Sequence, residues 1–150
     1  MRLYRVAHER YANDLSGRGA ELFGGRWTPA GYSVIYTAEH PALAGFEKLV
    51  HAGIDVTKAP LSHRLVVIDV PNADIERIAH IPDDPVGAGR AWLDAGNKPI
   101  LQVPSVVVPF ATNYLVNARH PGMAEITIVE NVAFVFDSRI GPSNGFEPTS

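Results

Sequence analysis

Cysteine is absent from the 150 residues, which rules out disulfides, thiolate nucleophiles and every cysteine-ligated zinc or iron–sulfur site, and fits a reducing compartment. Long apolar runs are also missing. No stretch approaches the roughly 18 consecutive apolar residues needed to cross a bilayer, and the first residues lack the basic segment, apolar run and cleavage site of an export signal. The expectation is a soluble, cytoplasmic chain without membrane contact. There is no excess of positive charge: 13 basic and 16 acidic residues give a formal charge of −3, so no long-range field draws the chain to a phosphate backbone. Direct nucleic-acid binding is not expected, although one or two well-placed guanidinium groups suffice to hold a small phosphorylated ligand. Several motifs are missing as well. There is no Walker A sequence, and Gly17-Arg18-Gly19 has no third glycine at the distance of a dinucleotide fingerprint. His8, His40, His51, His63, His80 and His120 show no His-Glu-x-x-His or other close ligand spacing, so each reads as a surface or capping residue and no metal is expected.

A hydrophobic content of 46% in a chain of this length supports one core. The expectation is a single domain over 1–150, with 141–150 a flexible tail. Residues Arg2 to Ala7 alternate as a short strand, and Ser33 to Thr37 form a second after the turn signal Pro29-Ala30-Gly31. Between them, from Glu9 to Gly25, periodicity is lost and glycines gather, as in a functional loop. A helix follows, with Pro41 at its first position, Leu43, Phe46, Val50 and Ile54 spaced by three and four, and Gly53 near its end. Leu65 to Val70 reads as a strand, Asn72 to Ala79 as a short capped helix, and Asp84-Pro85 as the start of another that stops at Gly96. Ile100 to Phe110 has the composition of a buried strand with a bulge or an edge at Pro104. Asn113 to Gly122 reads as a turn-rich connection, followed by two strands, Ile126–Val129 and Ala133–Phe136. The class is α+β: a mixed, mostly antiparallel β core with about three helices.

Glu47 is the most informative single residue. At about 100° per residue it projects about 40° from Leu43 and about 20° from Ile54, inside the apolar stripe of its helix. An ionised carboxylate there loses several kcal/mol of hydration unless it finds a partner. Periodicity leaves two readings open, an active carboxylate or one at the edge of the stripe reaching solvent or a core arginine. Gly24-Gly25-Arg26-Trp27 sets a charged fork beside flexible backbone and an aromatic ring, which suits a phosphate next to a flat base. An arginine lying over Trp27 on the surface leaves the same trace. Tyr36 is a stacking platform or a core aromatic. Ser105 lacks the Gly-x-Ser-x-Gly context of an exposed nucleophile, so its hydroxyl serves either its own backbone or a ligand.

Taken in order, Gly24-Gly25-Arg26-Trp27-Thr28-Pro29-Ala30-Gly31, Val34-Ile35-Tyr36-Thr37-Ala38-Glu39 and Ala42-Leu43-Ala44 with Glu47 resemble the amino-terminal half of the RES domain. Val103-Pro104-Ser105, Asn113-Tyr114-Leu115-Val116-Asn117, His120-Pro121 and Phe136-Asp137-Ser138-Arg139-Ile140 resemble its carboxy-terminal signature. The chain departs from the family at Ala118 and Ser138, where proline is frequent, and at Gly45, where a bulkier residue is common. The resemblance implies an ADP-ribosyltransferase-like fold and a toxin of a toxin–antitoxin pair. The arginine, glutamate and serine that name the family would be Arg26, Glu47 and Ser105. It implies NAD as substrate, with no further cofactor, and cleavage of the nicotinamide–ribose bond by phosphorolysis or hydrolysis. The catalytic residues would be Glu47, Arg26 and Tyr36. NAD would be held by Arg5, Arg26, Tyr36 and Ser105, with Ser105 orienting the ribose or amide. The implied partners are an antitoxin with a helix-turn-helix domain and a second toxin copy within a larger complex. The alternatives are ADP-ribosyl transfer to a host protein and a nucleotide-binding protein without turnover. A ribonuclease is disfavoured because neither a basic surface nor a His or Lys acid–base pair is evident.

Overall fold

A computed structural model of the chain describes residues 1–53, 62–137 and 139. The strands are β1 (Arg2–His8), β2 (Val34–Ala38), β3 (His63–Asp69), β4 (Ile75–Arg77), β5 (Ile100–Pro104), β6 (Thr112–Asn117) and β7 (Thr127–Phe134). They form one sheet in the order β4-β5-β6-β2-β1-β3-β7. Within it β4 pairs with β5 in parallel, and the other described pairings are antiparallel. Three α-helices accompany the sheet: α1 (Arg18–Phe23), α2 (Pro41–Ala52) and α3 (Pro85–Ala95), with a short 3-10 turn at Pro121–Met123. The α+β class and the mostly antiparallel sheet agree with the sequence reading.

Strand β2 lies between β1 and β6, so its side chains are covered on both faces. Val34 and Tyr36 pack with Trp27, Trp92, Leu101 and Leu115, and Ala38 packs with Leu43 and Ala44 of α2. The intervening Ile35 points the other way, into a second core with Leu3, Val66, Ile68, Ile100 and Val116. This is the two-residue period of a strand buried on both sides. Because β2 and β3 flank β1, the chain between them must cross β1, and α2 packs on β1 and β2 as it does so. His40 caps α2 by accepting from the Ala42 amide, Pro41 opens it, and Gly53 ends it with a left-handed φ of 59°.

Several sequence expectations are corrected. Residues read as a short helix from Asn72 to Ala79 instead contain β4, because parallel pairing with β5 outweighs a single capping residue. The segment beginning at Asn113, expected to be turn-rich, is the interior strand β6, whose Leu115 and Val116 are fully buried on opposite faces. The strands expected at 126–129 and 133–136 are one strand, β7. Asn131 stays inside it because its side-chain and backbone oxygens accept from Arg64 of β3 at 2.7 and 2.8 Å, and the irregularity falls opposite Val67 and Ile68. The loop from Glu9 to Gly25 contains α1. In α2, Phe46 and Val50 are exposed, so the inward face is Leu43, Ala44 and Gly45 rather than the wider stripe expected. His63 is buried, between the rings of His8 and Phe136, and is not a surface residue. At Gly45 the Phe134 ring takes the space of a side chain, with its tip 2.8 Å from where a Cβ would sit. Ile54, Ser138, Ile140 and the tail 141–150 lie outside the described residues.

Gly89 of α3 faces the backbone carbonyl of Trp27 so closely that an added Cβ would overlap it. This contact seats α3 on the Trp27-Thr28 segment. Gly89→Ala should therefore lower the unfolding free energy by at least about 1–3 kcal/mol, the usual cost of overpacking a rigid core. A urea unfolding curve would show this as an earlier midpoint at unchanged slope.

Candidate active site

Tyr36 and Asn113 project from one face of the sheet, because β2 and β6 pair with Tyr36 opposite Leu115 and Ala38 opposite Asn113. Helix α2 lies across the same face and presents Glu47, whose side chain is 16% exposed. The Glu47 carboxylate is held from below. Its Oε1 accepts from the Ser105 hydroxyl at 2.7 Å and from the Asn113 amide nitrogen at 2.7 Å, while Oε2 lies 3.3 Å from Nε2 of His51, one turn along the helix. A largely buried carboxylate is thus hydrogen-bonded by neutral donors and has no matching guanidinium.

Ser105 follows directly on Pro104, where β5 ends, and its amide donates to the Ala111 carbonyl to close the turn to β6. Its hydroxyl donates to Glu47 and accepts from the amides of Val107 and Val108 at 3.1 and 3.0 Å. One donor and two lone pairs are all that a hydroxyl has. In this arrangement the Ser105 hydroxyl is engaged by the protein, and it fixes the carboxylate.

Tyr36 stands beneath the Gly24-Gly25 turn. A side chain at residue 25 would meet the Tyr36 hydroxyl at 2.5 Å, so the glycine permits this close approach. The Tyr36 hydroxyl lies 2.6 Å from the Thr28 hydroxyl and accepts from the Trp27 amide at 3.3 Å. Burial pushes the phenol above its ordinary pKa, and the Thr28 and Trp27 hydrogen bonds oppose the shift only partly. Trp27 itself is a core residue packed on Trp92, not the aromatic platform that the sequence suggested.

These groups share a cavity of about 830 Å³, within the roughly 300–1,000 Å³ of small-molecule sites. Arg5, Arg26, Tyr36, Glu47, Lys48, His51 and Asn113 all line it, so four of the five sequence candidates share one hollow while Ser105 supports it from behind. Arg26 is exposed and has no side-chain partner among the described residues. Arg5 is anchored, its guanidinium donating to the carbonyls of Asp14 at 2.7 Å and Tyr11 at 3.3 Å. Burial lowers the Arg5 pKa, with the Asp14 carboxylate pulling the other way, and burial followed by the Arg5 cation lowers that of Lys48. The cavity therefore concentrates cations although the chain is acidic overall. Among the described residues no group of three or more His, Asp or Glu side chains has the arrangement of a metal site.

Asn113, Lys48 and His51 are the site residues that sequence reasoning did not single out. His51 was findable, since it lies four residues from Glu47 on one helix face. Lys48 gave no such signal, and Asn113 entered only as the first residue of a family motif with no role attached, because their place depends on how α2 crosses the sheet.

The RES domain family model matches residues 2–137. The chain belongs to the RES-domain family. Its relatives in that family include Toxin Res of Pseudomonas putida, 37% identical over 150 residues, covering 93% of this chain and 99% of that one. Prs ADP-ribosylating toxin of a Sphingobium species is 34% identical over 143 residues, covering 86% and 88%. Among solved structures, a chain of the M. tuberculosis MbcT-MbcA toxin-antitoxin complex superposes with a TM-score of 0.69 over 89% of this RES domain and 84% of its own length. The identity is 21%, and the likeness is one of fold.

The phenol at Tyr36 yields a direct check. Tyr36→Phe leaves the hydroxyl of Thr28, a residue 1% exposed, without its Tyr36 partner, and should cost about 1–3 kcal/mol. Because the folded pKa of Tyr36 is raised, its contribution is intact below the unfolded value of about 10 and is lost as pH rises through the folded value. Urea midpoints followed into alkali should accordingly fall less steeply in the phenylalanine variant than in the wild type.

Proposed function

We propose that this RES domain is the toxin of a toxin–antitoxin pair and consumes NAD by cleaving its nicotinamide–ribose bond. The observation that carries this reading is the Glu47 carboxylate, held by neutral donors at the wall of a cavity otherwise rich in cations. NAD matches both halves of that arrangement. Its pyrophosphate suits Arg26, Arg5 and Lys48, and its nicotinamide ribose gains positive charge as the bond to the ring breaks. In the reaction the C1′–N1 bond breaks and its electron pair goes to the ring nitrogen, so nicotinamide leaves neutral and requires no acid. Glu47 stabilises the cationic sugar, a contribution that grows toward the transition state. An oxygen of phosphate or water then forms the new bond to C1′, and water releases its proton to solvent. Tyr36 packs against the nicotinamide with its hydroxyl pinned by Thr28.

The relatives' names as toxins support growth inhibition as the outcome, and the fold neighbour's complex supports restraint by a protein antitoxin. The helix-turn-helix domain of that antitoxin, a toxin dimer within the complex and a cytoplasmic site of action belong to the same proposal. No helix of the described residues is long and apolar enough to cross a membrane. The name of the Sphingobium relative favours a second reading, transfer of the ADP-ribosyl group to a protein, which the same site chemistry permits.

Incubating the purified chain with NAD tests the proposal. Nicotinamide should be released, phosphate dependence of the rate should identify phosphorolysis, and radiolabel remaining on added protein should identify transfer. Glu47→Gln keeps an acceptor oxygen for Ser105 and Asn113, so folding should be retained while turnover falls about 10²–10³-fold, as when one transition-state contact is lost. Arg26→Ala removes a charge-assisted bond of about 1.5–3 kcal/mol and should act mainly on KM. A wild-type chain that releases no nicotinamide and leaves growth unaffected would contradict the proposal.

A further inference from the structure

Asn113 occupies an interior position of the sheet where stability alone would favour an apolar residue. Its strand, β6, lies between β2 and β5, and its backbone neighbours across the two pairings are Ala38 and Val103, both buried and apolar. A carboxylate only accepts hydrogen bonds, so the amide nitrogen of Asn113 must be the atom that faces Glu47. That leaves Asn113 Oδ1 buried with no partner, the one such side-chain atom among the described residues. Unsatisfied buried acceptors are rare in folded proteins because they forfeit their hydration without return. The residue thus sustains a local cost at the point where its other end touches Glu47.

The distribution of donors shows what the cost accompanies. Both neutral donors, Ser105 and Asn113, converge on Oε1 of Glu47, and neither touches Oε2. Oε2 is left on the side of His51, which lines the cavity and has a half-exposed side chain. Two donors, one from the turn that follows β5 and one from β6, fix the rotation of the carboxylate about its terminal bond, which one donor would leave loose. From this we infer that Asn113 is a positioning residue for the reaction: with Ser105 it clamps one oxygen of Glu47 so that the other is presented to the substrate ribose. The inference rests on Glu47 being the reactive carboxylate. It assigns Asn113 no contact with substrate, since its remaining oxygen is shut off from solvent.

The clamp makes an unusual pH response available in one variant. Asn113→Asp sets two carboxyl groups at hydrogen-bond distance, and like charges so close hold one proton between them above the ordinary carboxylate range. When that proton is on the introduced carboxyl group, its hydroxyl donates to Glu47 as the amide did and the clamp is restored. When it is lost, the donor is gone and repulsion turns the carboxylate away. The charged or titratable groups that share the cavity with this pair include Lys48 and His51 on α2, Arg5 on β1, Tyr36 on β2 and Arg26, with Glu39 beyond β2 accepting from the Thr112 amide. All of these are unchanged in the variant and act as a common background in the comparison.

The test measures nicotinamide release from NAD by the full-length chain across pH ~4–9, with urea unfolding at each pH to score only folded protein. Asn113→Ala should lower kcat by ~10–100-fold, the range of a reacting group displaced by an ångström or less, while KM changes little. Asn113→Asp should be nearly inactive at neutral pH and should recover at least ~10-fold on acidification relative to the wild type measured at the same pH. An Asn113→Asp profile parallel to the wild type, or an Asn113→Ala variant with wild-type kcat beside an inactive Glu47→Gln, would overturn the inference and leave the NAD reading intact. If the wild type releases no nicotinamide, the NAD reading fails and the clamp is judged by carbon-13 NMR of the carboxyl groups in Asn113→Asp. One proton retained between Glu47 and the introduced carboxyl well above pH ~4.3 upholds the clamp, and two independent titrations in the ordinary range refute it.

Discussion

The whole site depends on holding one carboxylate in place at the edge of an apolar face. Glu47 is largely withdrawn from water, and it is held there by a hydroxyl and an amide on Oε1, with the His51 imidazole 3.3 Å from Oε2, rather than by a guanidinium. A guanidinium in their place would neutralise the group and spend its field on the protein. Two neutral donors keep the negative charge available to whatever enters the cavity. The sheet order brings Ser105, at the end of β5, and Asn113, on β6, side by side under α2.

The electrostatics of the cavity have two parts. Arg5, Lys48 and Arg26 form a positive region inside a chain of net charge −3, and the lowered pKa values of Arg5 and Lys48 record the work of bringing cations into a partly desolvated hollow. An anionic ligand relieves that cost on binding. Glu47 supplies the opposite sign at a separate point. A substrate with a polyanionic centre and a sugar that becomes cationic during reaction is complementary to this pattern, and a ligand with only one of these features is not.

Local chemistry made much of this legible in the sequence. Pro41 and Gly53 bracket α2, whereas the strand expected to run from Ile100 to Phe110, with a bulge or an edge at Pro104, stops at Pro104, and Ser105 sits in the turn that follows. Glu47 was conspicuous because a carboxylate on an apolar stripe demands an explanation, and the order of short motifs supplied the family. What could not be read was set by distant partners. The Asn113 segment looked like a turn because asparagine favours turns, yet an interior strand position overrides that preference when neighbouring strands satisfy its backbone. Trp27 beside Arg26 suggested a stacking surface, but Gly89, far along the chain, admits the α3 backbone against the Trp27 carbonyl and closes the ring into the core. Ser105 stood out in the sequence, but its hydrogen bonds to Glu47, Val107 and Val108 emerge only from the three-dimensional arrangement.

A crystal structure of the Glu47→Gln chain with NAD bound, in which slow turnover preserves the intact dinucleotide, would examine this charge pattern at first hand. The nicotinamide ribose should lie within hydrogen-bond reach of the residue 47 side chain, with the ring against Tyr36 and the pyrophosphate among Arg5, Arg26 and Lys48. A dinucleotide bound with its nicotinamide ribose remote from residue 47, or seated outside this cavity, would refute the role given to the carboxylate.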